Sequence, residues 1–373
     1  MLGEKTDSML TICVSYYNDE KYLKTCIDSI LSQTYDNFEL ILLNHASTDN
    51  SRNIAHSYND SRIIHIDTPK NLGAGASYNF RYILPLIKGK YYKPFCADDV
   101  MAPNCVELLL DYSYNNPEKD VIFGNMEYIN SSGEKIKKDF FGEYRTLEYA
   151  SELDIMKYYS ESINRLPCPA SLIKVDILKN IDMDQSLTIW ADMWLWLSAL
   201  TNGAKFGFCN KTVAFYRRHE FQESFLDRTI LEQREKYEQI PLLSLFFNLK
   251  DTQLVKEIFS DSPYKDLLTD SADIIFYIAE YYLRKYGYIF AYEKLFYMLK
   301  DADMAKHLEE TFNFGVLELR KLYAFKVKEQ SYKKRVYAKK PKYLSMTDII
   351  FLLLNKIANM IINVITLRFL RKK

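Results

Sequence analysis

Two periods alternate along the first third of the chain. Short, largely apolar runs at Leu10–Val14, Phe38–Leu43, Arg62–Ile66, Tyr91–Phe95 and Val121–Tyr128 read as strands. Between them apolar positions recur at helical spacing. Leu23, Ile27, Ile30 and Leu31 follow the acidic turn Asp19–Glu20, Asn71-Leu-Gly-Ala-Gly75 opens a helix to about Ile87, and Pro103 starts another at a favourable first-turn position. Strand–helix units of this kind predict an α/β fold with an open, doubly wound, mostly parallel sheet. Such sheets bind ligands beyond the carboxyl ends of their strands, and the polar loops Ser15–Glu20, Asn44–Asp49 and Cys96–Asp99 all fall there. From about residue 220 the pattern turns helical, with few glycines to residue 323. Residues 344–370 carry a broad apolar face opposite Asp348, Asn355, Lys356, Asn359, Asn363 and Thr366, which predicts a terminal amphipathic helix.

Charge changes this picture only when it is divided along the chain. The 373 residues hold 49 basic and 49 acidic side chains, yet residues 1–319 carry 34 of the bases and 47 of the acids, a formal −13. Residues 320–342 form a basic collar with Glu329 as their one acid. An acidic body excludes a nucleic-acid binder, and the basic end suits an anionic membrane surface. The mid-segment Lys356 and its neighbouring asparagines argue for an in-plane anchor over a spanning helix, with a buried helix or an oligomerisation helix as the other readings. Six scattered cysteines without a Cys-x-x-Cys pair read as reduced thiols of a cytoplasmic protein, and Met9–Val14 is too short for a signal peptide.

The sharpest chemical feature is Cys96-Ala-Asp-Asp99 directly after an apolar strand. Two carboxylates at a strand exit can hold Mg²⁺ or Mn²⁺ while substrate phosphates complete the shell; a solvated turn before Pro103 is the other reading. Cys96 itself reads as a small packed side chain. In the first loop Tyr17 can stack on a base, and Ser15 and Asn18 can bond its edge. A dinucleotide-binding oxidoreductase or a nucleotidyltransferase would need a glycine-rich loop where Ser15-Tyr-Tyr-Asn-Asp-Glu20 stands.

The segments Thr11–Leu23, Cys26–Tyr35, Phe38–Asp49, Asn71-Leu-Gly73 and Ala97-Asp-Asp99 together resemble the opening of family 2 glycosyltransferases with the GT-A fold. Two later patches resemble the same family. Trp190-Ala-Asp192-Met-Trp-Leu-Trp196 is similar to the segment with the general base, which implies that role for Asp192; a helix-capping Asp is the alternative. Val213-Ala-Phe-Tyr-Arg217-Arg-His219 is similar to the Tyr-Arg-x-His element beside the diphosphate, which implies His219 as a metal ligand with Asp99 and Arg217 as a phosphate contact. Asp98 would touch the donor's ribose or the metal shell. The chain departs from the family pattern at Asn44-His45, where a uracil-reading acid is usual, at Cys96 and at Ala191. A neutral His45 still accepts a hydrogen bond from an imide N–H. The resemblance implies a GT-A catalytic domain over 1–220, a helical domain over 221–342 and the amphipathic helix over 343–373. It further implies inverting, metal-assisted transfer of a sugar from a nucleoside-diphosphate donor, UDP-linked by the pattern, to a glycan or lipid-linked glycan. The competing class is a non-catalytic relative acting as a binding or assembly subunit. The setting expected is the cytoplasmic face of a membrane.

Overall fold

A computed structural model describes residues 9–71, 80, 82–139, 150–182, 187, 189–220 and 228–333. The chain forms two compact units, Met1–Tyr281 and Tyr282–Lys373. The first is built on one sheet. Its parallel half consists of β1 (Leu10–Tyr16), β2 (Phe38–Asn44), β3 (Ile63–Asp67) and β4 (Tyr91–Cys96) in the order β3-β2-β1-β4. Register aligns the carboxyl ends on one rim: Tyr16 pairs with Asn44, Asn44 with Asp67, and Ser15 with Cys96. The apolar runs predicted from the sequence become these strands, and every residue of β2 is buried.

Helix α1 (Leu23–Leu31) buries Leu23, Cys26, Ile27 and Ile30, one face at the spacing of successive helical turns. α2 (Ser51–His56) is a short turn of helix after β2, and α3 (Cys105–Asn115) follows the two-residue strand β5 (Val100–Met101). α3 starts two residues after Pro103, because the Cys105 N–H bonds the Ala102 carbonyl in a separate turn. Of the helix expected over 71–87, residues 72–79 and 81 lie outside the described residues; its end is the turn Leu84–Leu86.

The other half of the sheet is mixed. β6 (Val121–Ile129) runs parallel to β9 (Phe206–Arg217) and antiparallel to β7 (Lys135–Asp139) and β8 (Ser171–Lys174), and β8 joins β4 antiparallel. Between these strands lie α4 (Glu152–Ser160), α5 (Val175–Leu178) and α6 (Ala191–Thr201). α6 is buried on nearly every side, as its run Met193-Trp-Leu-Trp-Leu requires. Helices α7 (Arg228–Ser244) and α8 (Thr252–Ile258) and most of α9 (Ile274–Tyr286) complete the first unit. The second contains α10 (Ile289–Lys300), α11 (Ala302–Phe312) and α12 (Val316–Lys333). Asp301 caps α11 by accepting the Met304 N–H, and Asn313 ends it in the left-handed conformation at φ 50°. The predicted amphipathic helix at 343–373 lies outside the described residues, as does the collar beyond residue 333. Among the described residues no helix is long and apolar enough to cross a membrane.

Candidate active site

β5 is the element that assembles the site. It pairs antiparallel with the end of β9, Val100 opposite Phe215 and Met101 opposite Ala214, so the turn before it meets the residues after β9. The turn is closed by the Asp99 N–H on the Cys96 carbonyl at 3.3 Å. Asp98 Oδ2 then lies 3.1 Å from His219 Nε2. Asp99 Oδ1 accepts the Arg217 N–H at 2.9 Å, while its Oδ2 is buried with no hydrogen-bond partner. Burial first, and the neighbouring Asp98 charge second, push the Asp99 carboxyl well above the usual carboxylate range. The Arg217 side chain is only 3% exposed. Its Nε donates to the Asp98 carbonyl and its Nη1 to the Asn130 and Ser131 carbonyls, and the guanidinium lies over the Tyr22 ring. Tyr22 also packs against His219, ring centroids 4.7 Å apart. Arg217, predicted as a phosphate contact, therefore ties three backbone segments together beneath the rim.

These residues fit a divalent ion. Donor atoms of Cys96, Asp98 and Asp99 all lie within 4.8 Å of one another, and the buried, unpartnered Asp99 Oδ2 is an oxygen that a cation would satisfy.

The first two loops are knitted to each other. Asn18, at φ 58°, accepts the Thr48 N–H on its side-chain oxygen at 2.8 Å, and its own N–H reaches Ser47 Oγ. Asn18 was predicted to bond a base edge; its amide oxygen serves the loop. Ser15 sits in β1 opposite Cys96, and Tyr17 stands exposed at the rim. His45 is buried, its N–H bonds the Tyr16 carbonyl, and its Nε2 has no hydrogen-bond partner. Burial holds its pKa below the ordinary imidazole value, so the ring is neutral at pH 7. Asn44 is structural here, donating to Asp67 Oδ1 at 2.8 Å and accepting the Ser47 N–H.

Asp192 lies in the first turn of α6. Asn164 donates to its Oδ2 at 2.8 Å and the Met193 N–H to its Oδ1 at 2.7 Å. Burial outweighs both bonds and raises its carboxyl to about 6. Cys168 opens the short turn Cys168–Ala170, and its thiol is pushed up by burial first and by the Asp192 charge second, against the lowering effect of Lys93. Fully buried Lys93 of β4 fixes that turn, donating to the Pro169 and Ser171 carbonyls at 2.8 and 3.1 Å. Four participants carry no signal local enough to be read from sequence: Tyr22, Lys93, Asn164, and Glu238 of α7. Glu238 Oε2 accepts the N–H groups of Ile189 and Trp190 just before α6.

The model of the family described as Glycosyl transferase family 2 matches residues 11–182. An uncharacterized glycosyltransferase of Methanocaldococcus jannaschii is 30% identical over 221 residues, covering 58% of this chain and 73% of that protein. The chain belongs to glycosyltransferase family 2. Among other family members, glycosyltransferase GlyG of Streptococcus pneumoniae serotype 4 is 33% identical over 128 residues, 34% of this chain and 42% of GlyG. The fold is shared with the crystal structure of S. aureus TarS residues 1–349, at TM-score 0.53 and 16% identity, covering 87% of this chain and 91% of that one. This family 2 fold puts the carboxylates of the turn after β4, the His219 ring and the two knitted loops on one rim, and its helical C-terminal region follows.

Proposed function

We propose that this glycosyltransferase moves a sugar from a nucleoside-diphosphate donor, UDP-linked, to a hydroxyl of a glycan or lipid-linked glycan, with inversion at the anomeric carbon. The observation that carries the reading is the rim turn itself: Asp98 Oδ2 lies 3.1 Å from His219 Nε2, and the buried Asp99 Oδ2 has no hydrogen-bond partner. Asp192 takes the acceptor hydroxyl's proton on Oδ1 or Oδ2. A carboxyl titrating at about 6 is ionised at neutral pH yet more basic than an ordinary aspartate, which suits a general base. Asn164 and the Met193 N–H hold the carboxylate in orientation. The base is received between the first two loops, where Tyr17 offers an exposed ring and neutral His45 a buried ring nitrogen to an imide N–H. Asp98, Asp99 and His219 would hold Mn²⁺ or Mg²⁺, which when bound neutralises charge on the departing diphosphate. Arg217 supports that site by fixing the Asp98 turn from below. The basic terminus sets the enzyme against an anionic membrane on the cytoplasmic side, where lipid-linked acceptors reside.

Calorimetric titration with UDP, CDP and GDP, each with Mn²⁺ and again with EDTA, tests the donor. UDP should bind in the presence of Mn²⁺ and lose at least about tenfold in affinity with chelator, a loss of ~1.4 kcal/mol. Equal affinity for all three nucleotides, or indifference to chelator, would sink the donor and metal assignments respectively.

A further inference from the structure

The Cys96–Asp99 turn presents a thiol as well as two carboxylates. Cys96 ends β4 with its side chain partly exposed, and its carbonyl is held twice, by the Asp99 N–H at 3.3 Å and by Cys26 Sγ at 3.3 Å. Those two bonds fix the turn so that one donor atom each from Cys96, Asp98 and Asp99 falls within 4.8 Å of the other two. Ligands at bond lengths of roughly 2.1 Å for oxygen and 2.3 Å for sulfur on one ion sit about 3–4 Å apart, so all three can reach a single cation with little movement. Independently, Asp99 is 1% exposed and its Oδ2 has no hydrogen-bond partner. A buried carboxylate oxygen with no hydrogen-bond partner, beside a thiol and a second carboxylate, is a donor set that a cation would satisfy.

We propose that Cys96 is itself a ligand of the divalent ion, so that the site favours borderline and soft ions, Co²⁺, Zn²⁺ or Cd²⁺, over Mg²⁺. Sulfur is polarisable and bonds such ions more strongly than it bonds Mg²⁺, whose preferred shell is all oxygen. On binding, the Cys96 thiol releases its proton to solvent and the thiolate enters the shell. The inference rests on reading this rim as a divalent-ion site, and the test separates the two.

The full chain, stripped with chelator and dialysed, is titrated with Co²⁺ alone while absorbance and heat are followed. The wild type should develop a sulfur-to-cobalt charge-transfer band that saturates with the binding heat. Cys26→Ser and Cys168→Ser should keep the band. Cys96→Ser and Cys96→Asp should lose it while still binding Co²⁺, and Cys96→Asp should lower the Cd²⁺ to Mg²⁺ affinity ratio at least about tenfold. Co²⁺ binding to the wild type without the band, or a band that survives Cys96→Ser, overturns the role of Cys96 and leaves the ion site standing. No Co²⁺ binding heat in the wild type overturns the ion site itself.

Discussion

Asp192, the proposed general base, is buried at a cost in stability that depends on pH. Its carboxyl titrates at about 6 against an ordinary 3.8, so between those values the folded chain holds a proton that the unfolded chain has lost. Stability contributed by this group therefore falls as pH rises through that window, and the full penalty stands above about pH 6. Asp192→Asn removes the penalty, and Asn164 can still donate to the remaining amide oxygen. The variant should melt higher than wild type at pH 7.5 and gain nothing near pH 4. Its turnover should drop by roughly 10²- to 10⁴-fold with donor binding retained, and wild-type kcat/KM should climb through pH 6. Scanning fluorimetry and turnover from pH 4 to 8 check both halves; a variant that turns over normally removes the base assignment. The Asp98–Asp99 pair stands out in the sequence because it directly follows an apolar strand, whereas Asp192 and His219 stand out only through resemblance to the family's motifs. Tyr22 does not stand out, since its place between Arg217 and His219 depends on contacts nearly 200 residues away in sequence.

At the level of elements, the parallel half of the sheet could be read directly, because buried strands leave largely apolar runs in β1, β2 and β4, interrupted at Thr11, Glu39 and Lys93, which are themselves buried. Of the mixed half, β6 alone could. β7 reads Lys-Ile-Lys-Lys-Asp, β8 spans four residues, and β5 only two. β9 is interrupted at Asn210–Thr212, where its pairing with β6 shifts register and the alternation of faces is lost. Two tests belong here. Gly124 in β6 is a close approach: a Cβ there would stand 2.4 Å from a methyl of Val213 in β9. Gly124→Ala should cost about 1–3 kcal/mol, and Gly124→Ala with Val213→Ala should cost less than the sum of the single changes. Urea melts of the four proteins decide it; strict additivity would mean the strands part without resistance. The second test concerns α6. Glu238, 7% exposed, satisfies two backbone N–H groups at the entry to the helix that carries Asp192. Glu238→Ala leaves both buried donors unpaired, so a loss of about 1–3 kcal/mol is expected with turnover falling more than donor affinity. Intact turnover in a destabilised Glu238→Ala would show that the helix start does not orient the base.

For the whole molecule the decisive property is how charge is divided. Residues 1–319 carry a formal −13 and residues 320–373 the matching +13, so a neutral chain is strongly dipolar along its sequence. Part of the positive end is the exposed start of α12, where Arg320 and Lys321 face solvent. An acidic body is repelled by an anionic bilayer, so the proposed attachment runs through the basic end, where each basic side chain near such a surface would contribute ~1 kcal/mol, screened within a Debye length of roughly 10 Å at 0.1 M salt. The apolar positions of 344–370, from Ile349 to Leu367, add a contribution that salt does not weaken. These two contributions can be separated by experiment. The full chain should sediment with phosphatidylserine-containing vesicles and far less with phosphatidylcholine alone. Raising salt from 50 to 500 mM should weaken binding without abolishing it, and a chain truncated after residue 343, which keeps the collar, should bind only at low salt. A truncated chain that binds as the full chain does in 500 mM salt would remove the apolar segment from the account. Equal sedimentation with neutral vesicles would remove the basic collar instead.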